Sequence, residues 1–268
     1  MTTLLHRRFD TGLVDRLVSE APATITNLTD DHRRSLSARF RAAAMVGHQR
    51  LDAWSVEQAG RAQRAFAWSP RTARRVLASG ALRRVEVQPS LTLLDAVRDE
   101  VADQLLRATS GFTRSGSLAH WLASSANPVI GLVTSEALGW AVQLDEVVRS
   151  ISYPRSIAES DTYYDVSLAR TTLRGRRDVI VMNDERRVVI RVSSGAPGKS
   201  AGHGLRADLT IDALADPGGF APVRFIGLWP DAGVCLSVDG SMNDLRAGAR
   251  DLVRSAVARR RARAPIAA

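Results

Sequence analysis

Residues 178–200, DVIVMNDERRVVIRVSSGAPGKS, contain the side chains whose types and spacing come closest to a known ligand-binding or catalytic motif. Gly198, Lys199 and Ser200 match the end of the pattern G-x-x-x-x-G-K-[ST], in which backbone amides hold phosphates and the lysine reaches them. Ser193 stands where the first glycine of that pattern belongs, and Gly-rich SAGHG follows where the helix should start. Because the pattern is incomplete, we do not expect a nucleoside triphosphate site.

The charge of the chain points to a polyanionic partner. Among its 268 residues, 37 are Lys or Arg and 28 are Asp or Glu, which gives a net charge of +9. Lys199 is the only lysine, so arginine, which matches phosphate geometry well, carries almost all of the positive charge. Two segments, residues 69–84 and the C-terminal tail, concentrate arginines without an intervening acid. Their arginines, which we expect to contact DNA, are Arg71, Arg74, Arg75, Arg259, Arg260, Arg261 and Arg263.

Composition and spacing also argue against several classes of protein. The single cysteine, Cys235, allows neither an internal disulfide nor a cysteine-based zinc cluster, and the five histidines show no metal-ligand spacing. No apolar run reaches the roughly 18 residues of a membrane span, and the N-terminus lacks the apolar stretch of a signal peptide. We therefore expect a cytoplasmic protein with no membrane segment, no metal and no cofactor. Trp229, beside Pro230, is the tryptophan that we would test for stacking on a base.

Two regions with different predicted secondary structure must position these residues. Residues 1–150 predict helices, including one long amphipathic run over 28–68 and a helix that begins at the N-cap Ser69 and stops at Gly80. After residue 150, short β-rich runs alternate with turns in the order β-β-β-α-β-β-α. This predicts an α/β (α+β) fold, with a helical N-terminal region over 1–150 and one mixed sheet flanked by helices over 151–268. The NDERR turn predicts that 178–183 and 187–194 are adjacent and antiparallel.

In this order, the elements resemble the PD-(D/E)XK nuclease superfamily, particularly its RecB-type exonuclease branch. In that family a strand carries G-x-x-D, the next carries an acid-x-Lys motif, and the acids hold Mg²⁺. GRRD at 175–178 matches the first motif and places Asp178 on the first metal ligand, while VIRVSSG at 189–195 occupies the second strand. ADLTIDALAD resembles the helix that follows, with Asp208 and Asp212 at its Gln and Tyr positions. The resemblance implies a restriction-endonuclease-like sheet.

Two departures from the family pattern bear on catalysis. Arg191 stands where the second metal ligand should be, and Ser193 stands where the catalytic lysine should be. A cation at a ligand position repels the Mg²⁺ that it should help to hold. The resemblance therefore implies an inactive relative in which Asp178 is vestigial, and we expect an Asp178–Arg191 ion pair in place of the metal.

Three functions are open at this point. The first is a catalytically inactive nuclease-fold protein that binds nucleic acid or scaffolds a DNA-processing or defence complex. The second is an active Mg²⁺-dependent DNA nuclease with a migrated site, in which Lys199 supplies the lysine and Glu136 or Glu146 adds an acid. The third is a protein–protein adaptor whose basic charge is incidental.

Overall fold

The computed structural model describes residues 7–8, 11–43, 49–57, 68–110, 116–158, 161–166 and 170–263. They form two compact units, the first from residues 1–63 and 151–268 and the second from residues 64–150. The predicted fold class is confirmed, because mixed β-structure is flanked by helices and the N-terminal region is mostly helical.

The larger sheet of the first unit has six strands in the order β1-β9-β8-β7-β6-β3. Strands β6 and β7 are antiparallel, as predicted, and at their turn Asp184 has φ of 54°, a left-handed conformation that Asp tolerates. Strands β7 and β8 are parallel and are joined through helix α8 (Ala201–Ala215), whereas β8 and β9 are antiparallel, so the sheet is mixed. The strands are β1 (Arg7–Arg8), β3 (Arg155–Ile157), β6 (Val179–Asn183), β7 (Arg186–Val192), β8 (Arg224–Trp229) and β9 (Val234–Asp239).

A second, three-stranded sheet has the order β2-β5-β4, so the prediction of a single sheet is wrong. The long helix predicted over 28–68 is also wrong, because strand β2 interrupts it and pairs in parallel with β5. Within β2, Leu51 is fully buried while Arg50 is exposed, which is the alternation of a strand. Only a partner that is distant in sequence makes this short segment a strand. The strands are β2 (Gln49–Asp52), β4 (Thr162–Val166) and β5 (Thr171–Gly175).

Helix α8 lies at the centre of the first unit. It contacts strands of both sheets and the helices α3 and α9, and most of its residues are buried. Most of this helix is closed off from solvent, so a charged side chain at one of its buried positions needs a partner inside the protein. The helices of this unit are α1 (Thr11–Ser19), α2 (Asp30–Ala43), α3 (Ala53–Glu57), α8 (Ala201–Ala215) and α9 (Met242–Arg263).

The two units divide at the predicted residue 150, but residues 1–63 belong to the same unit as residues 151–268 and not to the helical unit. Strand β1 pairs with β9, β2 pairs with β5, and α2 packs on α9, so the beginning of the chain belongs with its C-terminal part. These pairings join segments that are far apart in sequence. The local pattern of residues near the start of the chain therefore does not predict them.

The described residues of the second unit, 68–110 and 116–150, form four helices. Ser69 is the N-cap of the first of them, as the sequence predicted, and in the structure it also forms a capping box with Thr72. The predicted stop at Gly80 is wrong, because the helix continues to Val87. A Cβ at Gly80 would lie 2.6 Å from Glu100 Cδ, so this glycine permits close packing of two helices instead of ending one. The helices are α4 (Pro70–Val87), α5 (Leu93–Thr109), α6 (Leu118–Ala123) and α7 (Asn127–Arg149).

Candidate functional site

The central helix α8 carries two buried carboxylates, Asp208 and Asp212, one helical turn apart. The Asp208 carboxylate accepts a hydrogen bond from Arg191 Nη1 at 2.7 Å and another from the backbone N–H of Arg176 at 3.0 Å. Asp212 Oδ2 lies 2.9 Å from Arg187 Nη2, an ion pair without the alignment of a hydrogen bond. Helix α8 thus faces arginines of β7 and of the segment before β6, and each buried acid has a cationic partner.

Arg191 is the centre of this network. It is buried, and its Nη2 also donates to Glu57 Oε1 at 2.9 Å, so one guanidinium is shared by two carboxylates. The Trp229 ring lies beside it, with its centroid 5.7 Å from Arg191 Cζ. Burial lowers the pKa of Arg191, but Asp208 and Glu57 outweigh that effect and raise the pKa above its ordinary value. Arg191 is therefore a permanent cation inside the protein.

The pKa of Asp208 is also shifted. Burial raises the pKa of this carboxyl to about 7, against the lowering effects of Arg191 and of the Arg176 N–H. Its proton uptake is therefore moved from acidic conditions toward neutral pH.

This shift predicts a pH-dependent contribution to stability. Because the pKa of Asp208 is higher in the folded than in the unfolded chain, the contribution is complete below about pH 4 and is lost as the pH rises through about 7. In Asp208→Asn that contribution is absent. Urea unfolding of both proteins between about pH 5 and pH 8 should show a difference in unfolding free energy that shrinks with rising pH. A difference that stays constant would contradict the shift.

Asp178 does not form the expected ion pair with Arg191, and that prediction is wrong. The Asp178 carboxylate is 1% exposed, accepts a hydrogen bond from the backbone N–H of Val192 at 2.8 Å and lies 3.2 Å from Arg176 Nη2. The physical reason is that Arg191 reaches two carboxylates on α3 and α8, which compensate a buried guanidinium better than one does. Asp178 instead fixes the edge of the β6–β7 pair.

The other predicted residues of this region are separated from one another. Ser193 is buried, and its hydroxyl has no hydrogen-bond partner among the described residues. Lys199 is exposed in the turn before α8. In the same loop the Gly195 N–H donates a hydrogen bond to Asp231 Oδ2 at 2.7 Å. In a phosphate-binding loop such an amide would donate to the phosphate, but here it is already bonded to a carboxylate of the protein. Nothing in this loop supports a nucleotide site.

The residues at the position where the resemblance places a metal do not fit a Mg²⁺ ion. Arg191 occupies the second ligand position as a cation, and Asp178 is already bound to a backbone amide and to Arg176. Within the segments that the structure describes, no three His, Cys, Asp or Glu side chains are grouped so that they could hold a metal ion. Of the acids proposed for a migrated site, Glu136 lies 3.8 Å from Arg74 within the helical unit, and Glu146 is exposed on α7.

Some of the arginines predicted to contact DNA make contacts within the protein, whereas others are exposed to solvent. Arg74 lies over the Trp140 ring, with Cζ 4.7 Å from its centroid, and Arg259 donates to the Arg50 carbonyl and to the Ser55 hydroxyl. Arg71, Arg260 and Arg261 are exposed, although Arg260 Nη1 donates to the Ala42 carbonyl oxygen at 3.3 Å, and Arg75 is half-buried. Arg263 is the last residue of α9, and its side chain lies outside the described residues.

The sequence pattern missed Glu57 entirely. It lies at the end of α3, inside the region where a long helix was expected, and no local signal marks it as a partner of Arg191. The one signal was Gly204 in the segment SAGHG. A Cβ at Gly204 would lie 2.0 Å from Glu57 Oε1, so the absence of a side chain there lets the carboxylate reach Arg191.

Comparison with known proteins does not assign this chain to a family. A scan against protein-family models found no match, and a search of curated proteins found no significant match. No described helix combines the length and the apolar character that a membrane crossing requires.

Proposed function

We propose that this protein is a catalytically inactive relative of the PD-(D/E)XK nucleases, of the RecB-like branch, that binds DNA and serves in a DNA-processing or defence complex. The observation that carries this proposal is the environment of Arg191. The residue at the position of a metal-binding acid is a buried cation, and Asp208 and Glu57 neutralise it. Such a pair cannot be given up for a metal without leaving a charge buried and unpaired.

Loss of hydrolysis follows from the chemistry of these residues. Metal-assisted cleavage of a phosphodiester needs carboxylates that are free to bind Mg²⁺ and a cation that stabilises developing charge. Asp178 is engaged by the Val192 N–H and by Arg176, and Ser193 brings no positive charge. Lys199, the residue that the migrated-site alternative needs, is exposed before α8. The contacts of these side chains therefore favour an inactive protein over a displaced active site.

Binding to DNA is supported by charge. The net charge of +9 favours association with a polyanion, and phosphate contacts by arginine supply most non-specific affinity. Arg260 and Arg261 near the end of α9, and Arg71 on α4, are exposed cations from the two segments singled out in the sequence. A DNA-binding role also agrees with a cytoplasmic location, which we propose with it.

A protein–protein adaptor is the second candidate, and one observation favours it. The helical unit exposes large apolar side chains on α5 and α7, with Leu106 at 65%, Leu132 at 51% and Val142 at 42% exposure. Exposed apolar residues of this size mark interaction surfaces when they cluster. An adaptor predicts DNA affinity that is absent or insensitive to salt.

One titration tests both properties of the proposed function. Labelled duplex DNA, titrated with the full chain between about 50 mM and about 200 mM salt, should bind with affinity that falls steeply as salt rises. Arg260→Gln combined with Arg261→Gln should reduce the logarithmic salt slope by about two units, roughly one per lost phosphate contact. The matched control is Arg98→Gln combined with Arg155→Gln, which removes the same charge from exposed positions elsewhere and should leave the slope unchanged.

The same samples decide between the inactive protein and the migrated site. With Mg²⁺ or Mn²⁺ present, we expect the DNA to remain intact. Metal-dependent cleavage that disappears in Asp178→Asn would establish the active nuclease instead. That substitution keeps an oxygen acceptor for the Val192 N–H, so its effect on the fold should be small. Undetectable DNA binding at low salt would leave the adaptor as the remaining function.

A further inference from the structure

A groove between α2 and α9, closed at its base by α8, is independent of the Arg191 network. It encloses a cavity of about 250 Å³ in the first unit. Its floor is aliphatic and continuous with the core, because it is formed mainly by leucines. The floor residues are Leu28, Leu36, Leu214, Met242, Leu245 and Ala249.

The rim of this groove is basic. Arg39 of α2 faces Arg246 and Arg250 of α9 across the cavity, and all three are exposed. In the part of the chain that the structure describes, none of the three forms an ion pair or a hydrogen bond. The acids of α9 face other partners, Asp244 the Arg206 guanidinium at 3.1 Å and Asp251 the His203 imidazole at 2.7 Å.

Three unpaired arginines around one apolar cavity repel one another. Arg246 and Arg250 are four residues apart on one helix face, where like charges are destabilising. A bound anion would remove this repulsion and gain charge-assisted hydrogen bonds. The groove is therefore complementary to a ligand with a negative head and an apolar body.

We propose that this groove binds a small amphiphilic anion, a soluble monomer with a phosphate or carboxylate head and a short aliphatic chain. Among the described residues that line the cavity there is no Phe, Tyr or Trp, and the His32 imidazole offers a nucleobase only a small ring to stack on, which argues against a nucleotide. The cavity is smaller than the roughly 300–1,000 Å³ of pockets for drug-sized ligands, so the ligand is small. The site goes beyond DNA binding and would give the protein a means of responding to a metabolite.

Alkyl phosphates below their micellar concentration are the probes, measured by calorimetry with the full chain. Octyl phosphate should bind more tightly than hexyl phosphate, by roughly two- to fourfold for each added methylene that is buried. Inorganic phosphate and neutral octyl glucoside should each bind at least about tenfold more weakly, because each lacks one half of the ligand.

Variants locate the binding. Arg246→Gln combined with Arg250→Gln should weaken octyl phosphate at least about tenfold, since two charged donors are lost. Arg254→Gln combined with Arg260→Gln removes the same charge from α9 outside the groove and should have no effect. Ala249→Leu should weaken octyl phosphate by filling the floor while it leaves the charge unchanged. Unchanged far-UV circular dichroism would establish that the variants fold.

Several results would overturn the proposal. Equal affinity for inorganic and octyl phosphate would show a plain anion site, and equal affinity in the two double variants would place binding elsewhere. Binding to phosphatidylglycerol vesicles but not to monomeric octyl phosphate would assign the groove to a membrane surface. Displacement of octyl phosphate by an oligonucleotide would make the groove part of the DNA contact. The first three of these results do not depend on the DNA titration, so this site and the proposed function can fail independently.

Discussion

Replacing Asp208 by Ala should lower the free energy of unfolding by about 3–5 kcal/mol at about pH 5 and by less at about pH 8, because the contribution of Asp208 is lost as the pH rises through its pKa of about 7. The variant leaves the Arg191 guanidinium buried with only Glu57 as a partner, and it deprives the Arg176 N–H of its acceptor. Urea denaturation followed by circular dichroism measures the change. The control is Asp31→Ala, which breaks the exposed pair with Arg34 and should cost less than about 1 kcal/mol.

The opposite partner should show a smaller and pH-dependent loss. In Arg191→Met, the carboxylate of Asp208 is the group left behind, and it can become neutral by taking up a proton. An arginine that is left without a partner cannot become neutral in a similar way, because its pKa is too high for it to lose its proton. The loss in Arg191→Met should therefore be smaller at about pH 5 than at about pH 8. Equal losses at both pH values would show that Asp208 does not titrate in this range.

The double variant Arg191→Met with Asp208→Leu tests whether the ion-pair network adds net stability to the protein or only compensates the charges that it buries. Replacing a buried ion pair by apolar side chains of similar volume is often neutral or stabilising, whereas removal of one partner is not. The double variant should therefore be more stable than Asp208→Ala. If the loss in the double variant equalled the sum of the losses in Arg191→Met and in Asp208→Leu, the two side chains would not be energetically coupled.

Gly248→Ala should lower the free energy of unfolding by about 3 kcal/mol, the upper part of the usual range for overpacking. A Cβ at this position would lie 2.2 Å from the Arg206 carbonyl oxygen and 2.3 Å from Thr210 Oγ1, and the first of these atoms is backbone. Helix α9 would have to move away from α8, which forms the centre of the first unit. Chemical denaturation of the variant and the parent protein measures the change.

A matched glycine gives the opposite expectation. Gly139 also lies inside a helix, α7, but a Cβ there would meet nothing within 4 Å. Gly139→Ala should therefore stabilise the helical unit by up to about 1 kcal/mol, because Ala has the higher helix propensity. If both substitutions had the same sign, the close approach of α8 and α9 would not be the cause of the loss at Gly248.

Local patterns in the sequence determined most of the elements. Alternating apolar residues and the NDERR turn were sufficient for the β6–β7 hairpin, and the capping residues Ser69 and Pro70 were sufficient for the start of α4. These features depend on neighbours in the chain, so a sequence reports them directly. An arginine at position 191, where the resemblance to the nuclease family expects a metal ligand, was likewise visible without a structure, and from it came the expectation of an inactive protein.

Tertiary structure alone decided which charges meet. Asp178 was the acid closest to Arg191 in the expected hairpin, yet the guanidinium binds Asp208 and Glu57. Glu57 comes from a segment more than half the chain away from α8, and it reaches the site because Gly204 leaves room. Strand β2 and the membership of residues 1–63 in the first unit have the same origin, because pairing with β5 joins distant parts of the chain. The sequence determined which side chains carry charge and where helices and strands begin; the packing of α8 between two sheets determined which of those charges are buried and must pair.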